Sequence, residues 1–320
     1  MTGRRSSAFV LTIVALIALA ALALVPTPFF LITPGPAVDL SQRVVVEGHS
    51  PPHRHFYLTD VAVTHATALS LVAGLMPGTR IVPRSALFPD GVSLRDYNRI
   101  SDYAMDDSQH IAAYVAERAA GLRVQAPSRV VVVADLADGS RAAGVLRVGD
   151  RLVRVGDRAV YAPSDVTSAV RPLAPGTPAH LEIERDGHVA RVSVPTIRTD
   201  GGTRLGIYLR ERGVTTLPVP VHFSIDDVGG SSGGLMFALT IYSELTGDRR
   251  GPNAVAGTGT LAADGTVGPI EGTPQKLIAA KRAGATLFFV PRKNYPDIAG
   301  DRDIAIVPVD TFSQALAELH

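Results

Sequence analysis

The most constraining feature of this chain is a run of small residues directly before an apolar helical pattern. Residues 229–234 read Gly-Gly-Ser-Ser-Gly-Gly, and Leu-Met-Phe-Ala-Leu follows. Small residues on both sides allow a tight turn, and they leave a hydroxyl exposed beside backbone N–H groups at a helix start. A nucleophile needs this setting. The segment alone fits a flexible Gly/Ser loop equally well.

The second feature is a lysine 44 positions after Ser232. Of the 31 basic residues, only Lys276, Lys281 and Lys293 are lysine. A chain that otherwise uses arginine for its positive charge has little need of lysine on its surface. A desolvated lysine can lose its proton, which an arginine cannot do. This favours Lys276 as a general base, and a solvated surface position is the alternative for Lys281 and Lys293.

A hairpin is predicted between the serine and the lysine. Gly257-Thr258-Gly259-Thr260-Leu261 forms a short apolar strand, Asp264-Gly265 a turn, and residues 266–269 the return. The order is therefore a serine-bearing helix, a hairpin with Thr258, a lysine-bearing helix, and a strand over residues 287–291.

In this order of motifs the chain resembles the proteolytic domain of the Lon family of serine proteases. The family's Gly-Pro-Ser-Ala-Gly motif corresponds to residues 230–234, and its Thr-Gly pair to residues 258–259. Its Ile-Gly-Gly stretch corresponds to residues 270–272, which lead to Lys276. The resemblance covers roughly residues 203–320.

The resemblance implies a Ser-Lys dyad. Ser232 attacks a peptide carbonyl, and neutral Lys276 takes its proton and later protonates the leaving amine. Thr258 is expected to hydrogen-bond the lysine, and backbone N–H groups around Gly230 and Ser232 to hold the oxyanion. Ser232 is also a candidate N-cap of the following helix.

Three positions depart from the family pattern. Ser231 replaces the proline before the nucleophile, and Gly233 replaces the alanine after it. Glu271 replaces a glycine and adds a carboxylate near the dyad. If Glu271 faced Lys276, it would favour the charged amine and oppose the role of base. We expect Glu271 to point to solvent.

Other functions stay open from the sequence. A triad of His222 with Asp226 or Asp227 is conceivable, although a single histidine in a strand is more often structural. A non-catalytic PDZ scaffold with an inactive protease fold is the main alternative. A peptidase of the C-terminal-processing type also joins PDZ to a Ser-Lys dyad, but the hairpin before Lys276 argues against it.

Residues 123–198 resemble a PDZ domain of the protease-associated type. The pattern Ala-Ala-Gly-x-Leu-x-x-Gly-Asp-x-Leu spans residues 142–152, after a predicted buried strand over residues 129–133. PDZ domains bind an extended peptide at a sheet edge, so peptide or protein substrates are the expected partners. No Gly-Leu-Gly-Phe loop precedes Arg129.

The N-terminus predicts a membrane anchor. Arg4 and Arg5 precede an uncharged run from Ala8 to Val25 that continues to Ile32. Its length suits a bilayer, and the two arginines favour a cytoplasmic N-terminus with the catalytic domain outside the cytoplasm. A cleaved signal peptide is the alternative.

Composition excludes several classes. The net charge of +1 gives no general attraction to nucleic acid, and no cysteine is available for disulfides or thiolate metal sites. The cluster of His49, His53 and His55 is interrupted by prolines, so no metal or other cofactor is predicted. No P-loop is present, so ATP-driven unfolding is not expected. A homo-oligomer is implied by the resemblance alone.

The predicted fold class is α+β with four parts. These are a cytoplasmic tip and transmembrane helix (1–32), a small α/β N-terminal region (33–122) with a helix over 66–76, the PDZ domain (123–198), and the Lon-type proteolytic domain (199–320). The predicted function is a membrane-anchored, ATP-independent serine endopeptidase.

Overall fold

The computed structural model describes residues 13–14, 16–17, 19–74, 76–87, 94–137, 140–199, 201–225 and 228–319. The chain divides into two compact units. Unit 1 combines Met1–Val124 with Leu217–His320, and unit 2 is Gln125–Thr216. This division differs from the predicted domains, because residues 33–122 share a unit with the C-terminal part and residues 199–216 lie in unit 2.

Eighteen strands are named in the described part of the chain. They are β1 (Pro26–Asp39), β2 (Val44–Val46), β3 (His55–Thr67), β4 (Arg80–Pro83), β5 (Ser128–Leu136), β6 (Arg151–Val155), β7 (Arg158–Ala159), β8 (Pro178–Arg185), β9 (His188–Pro195), β10 (Ile197–Thr199), β11 (Gly202–Arg204), β12 (Ile207–Val214), β13 (Val221–Phe223), β14 (Ala254–Gly257), β15 (Thr260–Leu261), β16 (Val267–Gly268), β17 (Leu287–Pro291) and β18 (Ala305–Val309).

The named helices of this part are α1 (Ser70–Ala73), α2 (Arg84–Leu87), α3 (Leu94–Ala119), α4 (Pro163–Val170), α5 (Gly234–Thr246), α6 (Thr273–Arg282) and α7 (Phe312–Glu318), with a 3₁₀ helix at Arg292–Asp297. The predicted helix over 66–76 is largely wrong. Residues 66 and 67 end β3, where β-branched residues and alternation favour a strand, and only the short α1 follows.

Unit 1 is built on one six-stranded sheet of order β18-β17-β14-β3-β1-β4. Strands β1, β3 and β4 are antiparallel, whereas β3, β14, β17 and β18 are parallel. One apolar core joins α3 and α5 to this sheet, and a separate core lies between α6 and the 3₁₀ helix. The pairing of β3 with β14 joins the two halves of the chain that form this unit.

The N-terminal run ends where the sheet of unit 1 begins. Residues 19–24 are helical, and β1 starts at Pro26. Phe30, Leu31 and Ile32 are buried between β3 and β4, so residues 26–32 belong to the sheet and not to an anchor. None of the helices among the described residues has the length and hydrophobicity that a bilayer span requires. Arg4, Arg5 and part of the apolar run lie outside the described residues.

Unit 2 has the sheet order β12-β5-β6-β8-β9, with α4 packed against its core. Ala142 and Leu146 of the predicted PDZ pattern are buried there. Asp150, which is 1 % exposed, forms an ion pair at 2.6 Å with Arg185 of β8. Strand β12 forms an edge of the sheet and pairs with β5 alone. The PDZ prediction therefore identified the core but ended before the edge strand.

Candidate active site

The small residues of the nucleophile loop, residues 229–234, are required by close packing. Gly230 has φ +85°, which glycine adopts without strain. A Cβ on Gly233 would lie 2.9 Å from both Leu58 and Phe237, and one on Gly234 would lie 3.0 Å from Leu261. Helix α5 begins at Gly234 with Gly233 as its N-cap, so the predicted capping role of Ser232 is not observed.

The lysine is placed by the start of α6. Gly272 has φ +73°, and a Cβ there would lie 2.7 Å from Cγ1 of Val61. Pro274 lies in the first turn, where its missing N–H costs nothing. Two residues later, Lys276 is 2 % exposed. Its aliphatic stem and its amine are therefore removed from water.

The structure brings the three predicted side chains together. Nζ of Lys276 lies 2.5 Å from Oγ of Ser232 and 3.2 Å from Oγ1 of Thr258. The hydroxyl of Thr258 donates to the Ser232 carbonyl at 3.2 Å, and the Gly259 N–H donates to the same carbonyl at 2.8 Å. The hydrogen bond expected between Thr258 and the lysine is thus present, and Thr258 also fixes the serine backbone.

Burial changes the protonation of the lysine. Desolvation lowers the pKa of Lys276 from 10.5 to about 8, and the Asp60 carboxylate of β3 opposes that shift. Burial raises the pKa of Asp60, and the charge of Lys276 opposes it. A pKa of about 8 leaves a useful fraction of neutral amine near neutral pH.

Helix α3 braces the nucleophile loop. The Ser101 carbonyl accepts the Gly230 N–H at 2.9 Å, and the Ser108 hydroxyl donates to the Ser231 carbonyl at 3.2 Å. The Gly230 N–H therefore donates to Ser101, and the oxyanion role expected of the N–H groups around Gly230 and Ser232 stays a prediction. Within the described part of the chain, no group accepts a hydrogen bond from the N–H of Ser232.

A cleft of about 650 Å³ lies between α3 and the segment before Ser232. Its lining comprises Asn98, Ser101, Asp102, Met105, Asp106, Gln109, Ile225, Val228 and Gly229. A second cleft of about 430 Å³ borders the segment from Ile270 to Gln275 that leads to Lys276. Gly229 of the first lining precedes Ser232 by three residues, and Gln275 of the second lining precedes Lys276 by one.

The other predicted candidates lie elsewhere. Glu271 is exposed, as expected, and Lys281 forms ion pairs with Asp301 and Asp303. His222 is exposed on β13 opposite Val45, and no hydrogen bond between described residues joins it to Ser232. Asp226 and Asp227 lie outside the described residues.

Neither Asp60 nor the α3 serines were predicted. A signal existed for Asp60, because it is the one charged residue in the segment 56–63, which is otherwise uncharged, and a carboxylate in such a strand needs a compensating partner. The α3 serines carried no signal. Among the described residues, no group of three or more histidine, aspartate or glutamate side chains is placed to hold a metal ion.

Comparison with known families agrees with this geometry. Residues 218–317 match the family model of the Lon protease (S16) C-terminal proteolytic domain. The chain carries a Lon-type proteolytic domain. Residues 118–196 match the PDZ domain model.

Individual proteins are similar to parts of the chain. The Lon protease of Campylobacter concisus is 41 % identical over 93 residues, which cover 27 % of this chain and 11 % of that protein. Lon protease 2 of Bacillus subtilis is 32 % identical over 117 residues, covering 35 % and 21 %. The solved PDZ domain of an SdrC-like protein from Listeria monocytogenes is 18 % identical, covers 28 % of this chain and 93 % of that chain, and has a TM-score of 0.24.

The Lon-type similarity is confined to one part of each protein. The matched segments span only about a tenth to a fifth of these two curated relatives. Both relatives are named as Lon proteases.

Proposed function

We propose that the chain is a serine endopeptidase in which Ser232 is the nucleophile and Lys276 the general base. The observation that carries this proposal is the 2.5 Å approach of a buried lysine amine to the Ser232 hydroxyl. A charged lysine at 2 % exposure is costly without a close counter-ion, so burial favours the neutral form that can accept a proton.

The proposed reaction follows from these contacts. Ser232 Oγ attacks the peptide carbonyl carbon while its proton moves to Nζ of Lys276. Thr258 holds Nζ and the Ser232 carbonyl, so the loop keeps its geometry as charge develops. The backbone N–H of Ser232 is the candidate oxyanion donor. The ammonium then gives its proton to the leaving amine, and water releases the acyl group by the reverse sequence.

The three departures from the family pattern give little support to an inactive scaffold. Glu271 is exposed, and Ser231 is exposed at the lip of the loop. A Cβ at position 233 would lie 2.9 Å from two apolar side chains, so a glycine fits there better than an alanine. The residues that differ therefore leave the approach of Ser232 to Lys276 intact.

A fluorophosphonate labelling experiment tests the proposal. We expect the wild-type protein and Ser231→Ala to be labelled, and Ser232→Ala to lose labelling and to cleave unfolded casein at the background rate. Circular dichroism shows whether each variant is folded. Equal loss in the two serine variants would contradict the choice of nucleophile, and an unlabelled wild type that cleaves nothing would favour the scaffold.

We further propose that unit 2 binds an extended peptide along β12. This strand forms an edge of the sheet next to α4, and the turn at Leu205-Gly206 precedes it. Gly206 has φ +71°, and a Cβ there would lie 2.7 Å from Oγ of Ser140. Amide chemical shifts recorded with an added substrate peptide should change along β12. Changes confined to β9, the opposite edge, would contradict this assignment.

The location and energy requirement are also proposals. The apolar run before Pro26 and the two arginines at its start support an anchor with the catalytic unit outside the cytoplasm. In spheroplasts, added proteinase K should then digest the C-terminal part, whereas full protection would exclude this orientation.

Because the sequence has no P-loop, the purified chain should cleave equally well with and without ATP.

A further inference from the structure

Strand β3 brings one carboxylate, Asp60, to an irregular point of the sheet. Val61 pairs with Pro34 of β1, but Thr59 pairs with Ala37, so two residues of β1 lie opposite Asp60. This is a β-bulge, and bulges re-aim side chains and occur next to active sites. A Cβ on Gly35, within the bulge, would lie 2.8 Å from the Asp60 carbonyl oxygen, so the bulge needs a glycine there.

The neighbours of Asp60 on β3 contact the elements that hold the dyad. The contacts are Cδ1 of Leu58 at 2.9 Å from a Cβ placed on Gly233, Oγ1 of Thr59 donating to the Gly257 carbonyl at 3.0 Å, and Cγ1 of Val61 at 2.7 Å from a Cβ placed on Gly272. These partners precede α5, Thr258 and α6 respectively. The segment of β3 that carries Asp60 therefore contacts the residues directly before the serine-bearing helix, before Thr258 and before the lysine-bearing helix.

Few other charges face Lys276 from the elements around α6. Strands β14 and β17 have no titratable side chain. Glu271 is exposed and Asp39 is paired with His55. The remaining titratable groups of the described residues on β3, β4 and the 3₁₀ helix are Tyr57, His65, Arg80, Arg292, Lys293, Tyr295 and Asp297. Burial lowers the pKa of Lys276, and the charge of the Asp60 carboxylate opposes that shift.

We propose that Asp60 is a positioning residue that stabilises the ammonium form of Lys276 during proton transfer, which rests on the proposed endopeptidase function. The Ser232 proton moves to Nζ as the O–C bond to the substrate forms. Asp60 stays ionised and takes no proton. When the C–N bond breaks, the proton leaves Nζ for the amine. Asp60 thus offsets a charge that exists only between these two steps.

Removing this charge has two effects that a purely structural role would not combine. Without Asp60 the ammonium is less stable, so the lysine loses its proton at a lower pH. The same change makes the amine a weaker base, so the maximal rate falls. Fluorophosphonate labelling of Ser232 measures both, because its rate rises as Lys276 becomes neutral.

The experiment compares wild type with Asp60→Asn, Asp60→Ser, Asp60→Glu and the control Glu271→Gln. In Asp60→Asn and Asp60→Ser the midpoint of the labelling profile should fall by about one pH unit, and the maximal rate by about tenfold. Asp60→Glu keeps the charge and should keep the wild-type midpoint. Glu271→Gln removes an exposed carboxylate near the same lysine and should leave both values unchanged.

A second measurement needs no variant. The chain has three lysines, so ¹³C-labelled lysine gives few signals, and the ion-paired Lys281 serves as an internal reference. The Lys276 signal should show a second, acidic inflection as Asp60 titrates. A midpoint unchanged in both neutral variants, or a Lys276 signal without the acidic inflection, would overturn the proposal. If the wild-type protein showed no labelling at Ser232, the proposed function would be overturned instead. The titration of Lys276 would still test the role of Asp60, because it does not depend on catalysis.

Discussion

Units 1 and 2 differ in how the chain builds them. Unit 2 is one continuous segment, and its strands β5 to β12 pair within that segment, including β12 with β5 across most of its length. Unit 1 is assembled from two segments that flank unit 2, and its sheet is completed where β3 pairs with β14. The continuous unit could be outlined from local motifs. In the discontinuous unit, residues that contact the nucleophile loop come from a region to which the sequence assigned no chemistry.

The contrast is sharpest at the dyad itself. Ser232, Thr258 and Lys276 all lie in the second segment, which is the part that matches the Lon-type model. The first segment supplies α3, which holds the nucleophile loop, and β3, which carries Asp60. A region with no motif of its own therefore supports the candidate site.

The largest effect is expected from separating the segments. Residues 125–216 expressed alone should fold and unfold cooperatively, because their core is internal. Residues 217–320 alone should not fold, since β14 lacks β3 and α5 lacks α3. Circular dichroism and urea unfolding of both fragments measure this. A cooperative, active 217–320 fragment would remove the distinction between the two units.

The next effect concerns the base. Lys276→Arg keeps the charge and much of the side-chain length, but a guanidinium stays protonated and cannot take the serine proton. We expect casein cleavage to fall by roughly 10²–10⁴-fold, with the circular dichroism spectrum unchanged. Lys281→Arg is the matched control on the same helix and should be near normal. Near-normal cleavage by folded Lys276→Arg would return His222 to consideration.

A smaller effect concerns stability where α5 packs on β2. Burial raises the pKa of Glu244 from 4.5 to about 7, and one carboxylate oxygen accepts the Val46 N–H. Between these values the folded state binds more protons than the unfolded state, so stability falls as pH rises. From pH 4.5 to pH 7 the loss should reach about 3 kcal/mol.

Urea unfolding of Glu244→Gln at pH 5 and pH 8 tests this expectation. The neutral amide does not ionise, so most of the pH dependence should disappear in the variant. The exposed Glu318→Gln on α7 is the control and should behave as wild type does. Equal pH dependence in all three proteins would show that folding does not raise the pKa of Glu244.

The smallest effect compares two glycines with the same backbone conformation. Gly272 and Gly284 both have positive φ, at +73° and +76°. Nothing lies within 4 Å of a Cβ on Gly284, whereas Val61 of the first segment lies 2.7 Å from one on Gly272. Gly284→Ala should cost about 1–2 kcal/mol from the backbone alone. Gly272→Ala should cost a further 1–3 kcal/mol or so from overpacking. Equal thermal shifts would mean that the contact between the two segments is loose.

The features that could be predicted from the sequence are those that a short local pattern determines. The motifs around Ser232, Thr258 and Lys276 were sufficient to predict that these three side chains meet, because each residue lies in a short motif of its own. Strand β17 was predicted with its observed bounds, because a five-residue apolar run has few alternatives. The bulge opposite Asp60 and the bond between Gly230 and Ser101 depend on pairing across long stretches of chain, and no local pattern encodes that pairing. For this reason the sequence could not show that the Gly230 N–H donates to Ser101.

The pairing of β3 with β14 has a consequence for synthesis on the ribosome. Strand β3 emerges early, but β14 follows only after the whole of residues 125–216 has been made. At roughly 5–20 residues per second, this interval is on the order of ten seconds. During it, one edge of β3 lacks its final partner and Phe56 and Leu58 lack most of their core, which is the state of a strand most prone to wrong pairing. Unit 2 can fold within the same interval. The nascent chain therefore passes through a stage in which unit 2 is folded while the sheet of unit 1 still lacks the strands of the second segment.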